Sequence, residues 1–188
     1  MNRQNNKHKS KYGVTILLCA CLLTISAFPV HADDNPPLPS PTPTSTYQLP
    51  YPGMLPDNPL YFLKSFRDNM IGFFIGKPID KADFMLLQSD KQVSASSMLV
   101  SQTKIDLAAS AFSQAQDYFD EAIEQTVNAH KQGMNITEMT KKLAEANQKH
   151  FQVLDEIDQQ LSEADKKKFQ KAQNKETDLA KKIKGLKI

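Results

Sequence analysis

Apolar positions change their rhythm several times along the chain, and each rhythm predicts a different kind of segment. Val14 to Phe28 is a continuous apolar run behind a basic stretch. Asp33 to Thr46, which contains PPLPSPTPTST, has no periodicity, and its prolines favour extended polyproline II. Tyr51-Pro52-Gly53-Met54 reads as a type II turn. Leu60, Leu63, Phe66, Met70 and Phe73 then recur at helical spacing, which predicts a helix from Pro59 to about Ile75. Asn58 suits its N-cap, Pro59 its first turn, and Gly76 its C-terminal cap. From Met70 to Ile75 this helix is apolar almost all round, so protein or lipid must cover it. The expectation is that Phe66, Met70 and Phe73 plug a core built by the later helices.

A long helix is predicted from near Asp80 to about Lys131. Its second half repeats Ala108, Phe112, Ala115, Phe119, Ala122, Thr126 and Ala129 in steps of four and three, a heptad seam. Ser94, Ser96, Ser97 and Ser101 weaken its middle, where a kink or break is expected. Gln132-Gly133-Met134-Asn135 reads as a turn, and Asn135 with Glu138 as a capping box. The next helix carries Ile136, Met139, Leu143, Ala146, His150, Val153 and Ile157, a second seam, and the short connection predicts an antiparallel hairpin with the preceding helix. A further start at Ser162-Glu163-Ala164-Asp165 opens a lysine-rich helix with Phe169, Ala172, Leu179, Ile183 and Leu186. The fold class is therefore all-α: a long antiparallel helical hairpin or bundle with a short N-terminal apolar helix and a basic C-terminal helix. The predicted core is Phe66, Met70, Phe73, Phe112, Phe119, Leu143, His150, Leu154 and Ile157.

Charge changes the picture at the N-terminus. Residues 1–32 carry Arg3, Lys7, Lys9 and Lys11 and no acid. Without them the chain has 19 basic and 21 acidic side chains, so the formal +2 of the whole is not a nucleic-acid signature. A basic stretch, an apolar run and Val30-His31-Ala32 make a secretory signal with cleavage between Ala32 and Asp33; an uncleaved membrane anchor is the alternative. Both readings put the remainder outside the cytoplasm, secreted or associated with the envelope. Residues 33–48 form a linker and 49–188 the helical domain. Cys19 and Cys21 are the only cysteines and lie inside the apolar run, so residues 33–188 can form no disulfide or zinc thiolate.

Residues 105–161 hold ten acids and four lysines, residues 162–188 nine lysines and four acids. A basic helix packed on an acidic hairpin accounts for this; a lysine patch for anionic lipid or polymer is the sharper alternative. The six glycines form no phosphate loop, and no serine-hydrolase, zincin, di-iron or EF-hand pattern occurs. His130 and His150 stand too far apart to share a metal. His150 reads as a hydrogen-bonded core-edge histidine facing the neighbourhood of Gln114 and Asp117, with a pH-sensitive spot as the alternative. Asp117, Glu121 and Glu124 share a solvated helix side. No catalytic residue, cofactor or metal is predicted.

The stretch YPGMLPDNPLYFLKSFRDNM, followed by KADFMLLQSDKQVSAS, resembles a bacterial family called domain of unknown function five-six-six-seven. The resemblance rests on an opening motif of Pro52, Gly53, Leu55, Pro56, Asp57, Pro59, Leu60, Tyr61, Leu63 and Lys64, and on His150-Phe151-Gln152-Val153-Leu154. It implies an exported all-helical bacterial domain, in some members tied to envelope or sigma-factor regulation, and no catalytic residues. Together with the missing chemistry, this predicts a non-enzymatic envelope module. Its expected partner is another envelope protein or a second copy. The alternative is peripheral binding to membrane or anionic polymer through the first helix and the C-terminal lysines.

Overall fold

The computed structural model describes residues 47–186, so the signal segment, the Ala32–Asp33 junction and the linker through Thr46 lie outside the described residues. The described part is all-α. Five helices form among these residues: α1 (Tyr61–Phe74), α2 (Pro78–Ser101), α3 (Ile105–Lys131), α4 (Thr137–Gln160) and α5 (Glu163–Gly185). The last four make a bundle, and α1 lies against its side, on α2.

The predicted long helix is two helices. It breaks at Gln102–Lys104, just beyond the serines, and folds back on itself as the α2–α3 pair, the most extensive helix contact in the molecule. The break is a Schellman cap: Lys104 N–H donates to Leu99 C=O (2.9 Å) and Thr103 N–H to Val100 C=O (2.8 Å), with Thr103 at φ +59°. The turn after α3 repeats this motif with Gly133 at φ +77°, where Met134 N–H reaches Ala129 C=O (3.0 Å) and Gly133 N–H reaches His130 C=O (2.9 Å). Thr103 carries a steric cost there that Gly133 does not. Asn135 Oδ1 then accepts from Thr137 N–H at the start of α4 (2.9 Å).

Two serines of α2, Ser89 and Ser96, close its seam with α3. Ser89 Oγ donates to Ala115 C=O (2.7 Å) and Ser96 Oγ to Ala108 C=O (2.8 Å), both buried. Small residues on both sides, Ala82, Ala95, Ala108, Ala111, Ala115 and Ala122, let the backbones approach.

The predicted antiparallel partnership of α3 and α4 is also corrected. Their backbones barely meet, because they stand diagonally and touch through side chains across the core, Phe119 against His150 at 5.2 Å between ring centroids. Around the bundle α2 neighbours α3 and α4, and α5 neighbours α3 and α4. A seam residue such as Phe112 therefore faces the centre of four helices rather than one partner. The buried apolar residues form two clusters. One gathers Val93, Leu99, Phe112, Leu154, Ile157 and Phe169; the other gathers Leu86, Phe119, Leu143, Leu179 and Ile183.

Phe66, Met70 and Phe73 are not core. They are 64%, 45% and 82% exposed. α1 is turned so that Asp68 and Gly72 are its buried residues. Four helices already fill the core. The close approach of α1 to α2 is built on Gly72, where an added Cβ would meet Met85 Cε at 3.0 Å and Phe84 Cε1 at 3.2 Å. α1 ends at Phe74 with Ile75 extended, so Gly76 does not supply the left-handed cap expected of it.

Candidate functional site

Two features call for explanation: a layer of polar groups through the middle of the bundle and the outward face of α1. The polar layer draws on every bundle helix. Asp90 (α2), Gln116 (α3), Asn147 and His150 (α4) and Glu176 (α5) are all buried. Asp90 Oδ1 lies 2.8 Å from His150 Nε2, and its Oδ2 accepts from the Tyr47 hydroxyl at 2.6 Å. A carboxylate can only accept, so Nε2 carries the hydrogen. Glu176 Oε1 accepts from Gln116 Nε2 (3.0 Å) and Oε2 from Asn147 Nδ2 (2.8 Å). Gln116 Nε2 also reaches Ala172 C=O (2.8 Å).

Burial pushes the Glu176 carboxyl above its ordinary value, although His150, Gln116 and Asn147 pull the other way. Burial first, then the charge of Asp90, raises the Tyr47 phenol. The arrangement holds Tyr47, Asp90 and His150 in one chain of bonds. His150 is thus a core histidine facing Asp90 and Phe119, not the expected Gln114 and Asp117. The layer links the helices across the core, Asp90 of α2 to His150 of α4, and Glu176 of α5 to Gln116 of α3 and Asn147 of α4.

A titration prediction follows. The folded pKa of Glu176 lies above its unfolded value near 4.5, so the folded chain holds this proton longer. Stability from this group is fullest below that value and declines as pH rises toward the folded pKa. Glu176→Gln has no such proton. The stability advantage of wild type over Glu176→Gln should therefore be larger at about pH 4 than at about pH 7, read from urea midpoints. A difference that is flat, or that grows with pH, contradicts the assignment.

The stretch before α1 is strapped to the bundle. Ser94 Oγ donates to Pro50 C=O (2.8 Å), and Leu49 and Leu55 pack on the first core cluster. Gly53 sits at φ +71° in the turn. Lys64 Nζ reaches back to Pro52 C=O (2.8 Å) and Met54 C=O (3.1 Å), and desolvation lowers its pKa. Asn58 Oδ1 accepts from Leu60 N–H (2.9 Å) in an Asx turn ahead of α1, so Asn58 is not the expected N-cap; that position is Leu60, without a side-chain cap. Asp57 pairs with Lys104 at the α2–α3 turn (2.5 Å). Tyr61 Oη accepts from Gln92 Nε2 (2.6 Å). The opening motif is thus a brace that sets the rotation of α1.

With Tyr61, Asp68 and Gly72 inward, the opposite arc of α1 carries Phe62, Leu63, Phe66, Met70, Phe73 and Phe74, all exposed. From these exposures the arc presents roughly 700 Å² of apolar side chain, above the 300–600 Å² of the largest patch on a typical monomer. No described helix is long and apolar enough to cross a membrane.

The remaining candidates are accounted for internally. Lys168, Lys175 and Lys182, seven residues apart on α5, pair with Asp106 (2.7 Å), Asp117 (2.5 Å) and Asp120 of α3. Glu121 pairs with Lys81 (3.0 Å). The charge segregation is that of one helix lying on another, with each exposed pair contributing about 0–1 kcal/mol. α5 stands diagonally from α2, the helix that carries α1, and their backbones do not approach. His130 lines a groove with Met134, Ile136 and Leu186, apart from His150, and no group of metal-ligating side chains occurs among the described residues.

Tyr47, Asp90, Gln116, Asn147 and Glu176 escape the sequence reading. A signal for four of them was present: each replaces an apolar residue at a core position, as Asp90 does between Leu86 and Val93, and Gln116 between Phe112 and Phe119. No curated protein and no solved structure matches the chain. The family model described as Domain of unknown function (DUF5667) matches residues 53–164, more than half of the chain, running from the brace before α1 through α4 to the first turn of α5, and the chain belongs to that family.

Proposed function

We propose that this chain is an exported, non-enzymatic interaction module of the bacterial cell envelope, and that its contact surface is the outward arc of α1. The observation that carries the reading is the inverted helix: α1 buries Asp68 and Gly72 and exposes Phe66, Phe73 and Phe74. Leaving that much apolar surface wet is costly, at about 25 cal/mol per Å². An arc held outward by a hydrogen-bonded brace is best explained by an occupant. Export is supported by the basic-then-apolar N-terminus. The expected partner is an envelope component, with no nucleic acid, cofactor or metal involved. The reading with α1 and the C-terminal lysines acting together is less favoured, because three of those lysines, Lys168, Lys175 and Lys182, are engaged with α3.

The test is co-sedimentation of the full chain with an isolated bacterial envelope fraction. Phe66→Asp/Phe73→Asp should reduce binding at least tenfold while leaving the circular dichroism spectrum and melting point near wild type. Equal binding of both forms would sink the proposal.

A further inference from the structure

We infer that the occupant of the α1 arc is the surface of a lipid bilayer. This rests on the reading that the arc is the contact surface, and it names what covers it. The arc is Phe, Leu and Met at six outward positions, with no buried hydrogen-bond donor or acceptor waiting for a partner's polar group. Protein interfaces ring their apolar centre with polar contacts, about one hydrogen bond per 100–200 Å². A helix lying in the headgroup region needs only an apolar side, with cations at its margin.

Residues 59–79 carry Lys64, Arg67 and Lys77 against Asp68, a net +2, on a chain that is net −2 after residue 32. The apolar segment is thus the basic one. Arg67, two-thirds exposed, stands beside the arc in an ion pair with Asp68 (2.7 Å), and a lipid phosphate would share that guanidinium with the carboxylate.

A second copy would have to bind through a 14-residue helix, whereas a stable interface commonly draws on about 20–30 residues a side. Two helices crossing also meet along a strip and leave much of a broad arc wet, whereas a bilayer covers all of it. Thirteen residues lie between Asp33 and Tyr47, a reach of at most about 50 Å, so on the reading that the N-terminal run stays as an uncleaved anchor α1 is within reach of that membrane.

The chain has no tryptophan, so Phe66→Trp places a single reporter on the arc and Phe151→Trp, on α4, a single reporter away from it. Each full-length variant is mixed with protein-free vesicles of phosphatidylcholine and phosphatidylglycerol, with and without brominated acyl chains. The expected result is blue-shifted, bromine-quenched fluorescence from Phe66→Trp and unquenched fluorescence from Phe151→Trp. Adding Met70→Asp/Phe73→Asp to the arc reporter should reduce its quenching at least tenfold. Equal quenching of both reporters means that only the N-terminal apolar run anchors the chain, and overturns the inference. No quenching of the arc reporter, with envelope binding still lost in Phe66→Asp/Phe73→Asp, overturns the bilayer and keeps the interaction surface with a protein occupant. Doubling of mass in sedimentation without lipid points to self-association instead and also overturns it. If neither vesicles nor envelope bind, the inference and the reading beneath it fall together.

Discussion

Asp90→Ala should lower the stability of the chain by about 3 kcal/mol and its melting point by roughly 10 °C. Asp90 is one of two buried carboxylates in the polar layer and the one on which two other groups depend. Its removal leaves the His150 Nε2–H enclosed by Phe119 and the bundle with no acceptor, and it leaves the Tyr47 hydroxyl without the carboxylate it donates to. A buried donor stripped of its partner costs about 1–3 kcal/mol, and the vacated volume adds a cavity term. Removing one end only isolates the smaller part: Tyr47→Phe should cost about 1 kcal/mol, the net worth of one hydrogen bond at a half-buried site. Urea unfolding of the two variants and wild type measures both. A loss below about 1 kcal/mol for Asp90→Ala would mean that water replaces the carboxylate, and that the layer is wetter than its burial implies.

The helices are legible because their apolar positions repeat with a period near 3.6, and the second turn is legible because Gly133 occupies its left-handed position. The first turn is the same Schellman cap with Thr103 in place of glycine. Nothing local distinguishes Thr103 from a helical residue, so the serine-rich stretch predicts a kink or break but not that the chain reverses at Thr103. The bundle decides it, because folding α2 back on α3 buries the Ser89, Ser96 and alanine seam. The pairing of α3 with α4 misleads for a related reason. A short loop predicts neighbours, yet a four-helix core also admits a diagonal step, and the heptad seam of α3 looks the same in either case. The polar layer is hidden by its own partners. Each member reads as an isolated polar residue at one core position, and only the assembled bundle brings Gln116 and Asn147 to Glu176.

Phe119→Ala should cost about 3–5 kcal/mol, whereas Phe66→Ala should cost less than about 1 kcal/mol, and the pair decides what α1 is for. Sequence periodicity treats these phenylalanines alike: both belong to an apolar stripe at helical spacing. The structure separates them. Phe119 is fully buried, lies edge-on to His150 and belongs to the second core cluster with Leu143 and Leu179. Truncating it opens a cavity between four helices held apart by the polar layer, so the walls cannot collapse to fill it. Phe66 has solvent over most of its ring, and α1 keeps its place through Lys64, Tyr61 and Gly72. Its loss removes surface already in water, and some of the hydration cost goes with it. Thermal melts of both variants, followed by far-ultraviolet circular dichroism, should show a large downward shift for Phe119→Ala and almost none for Phe66→Ala. A large shift for Phe66→Ala would mean that α1 turns its apolar arc into the bundle in solution, and the outward surface proposed for it would not exist.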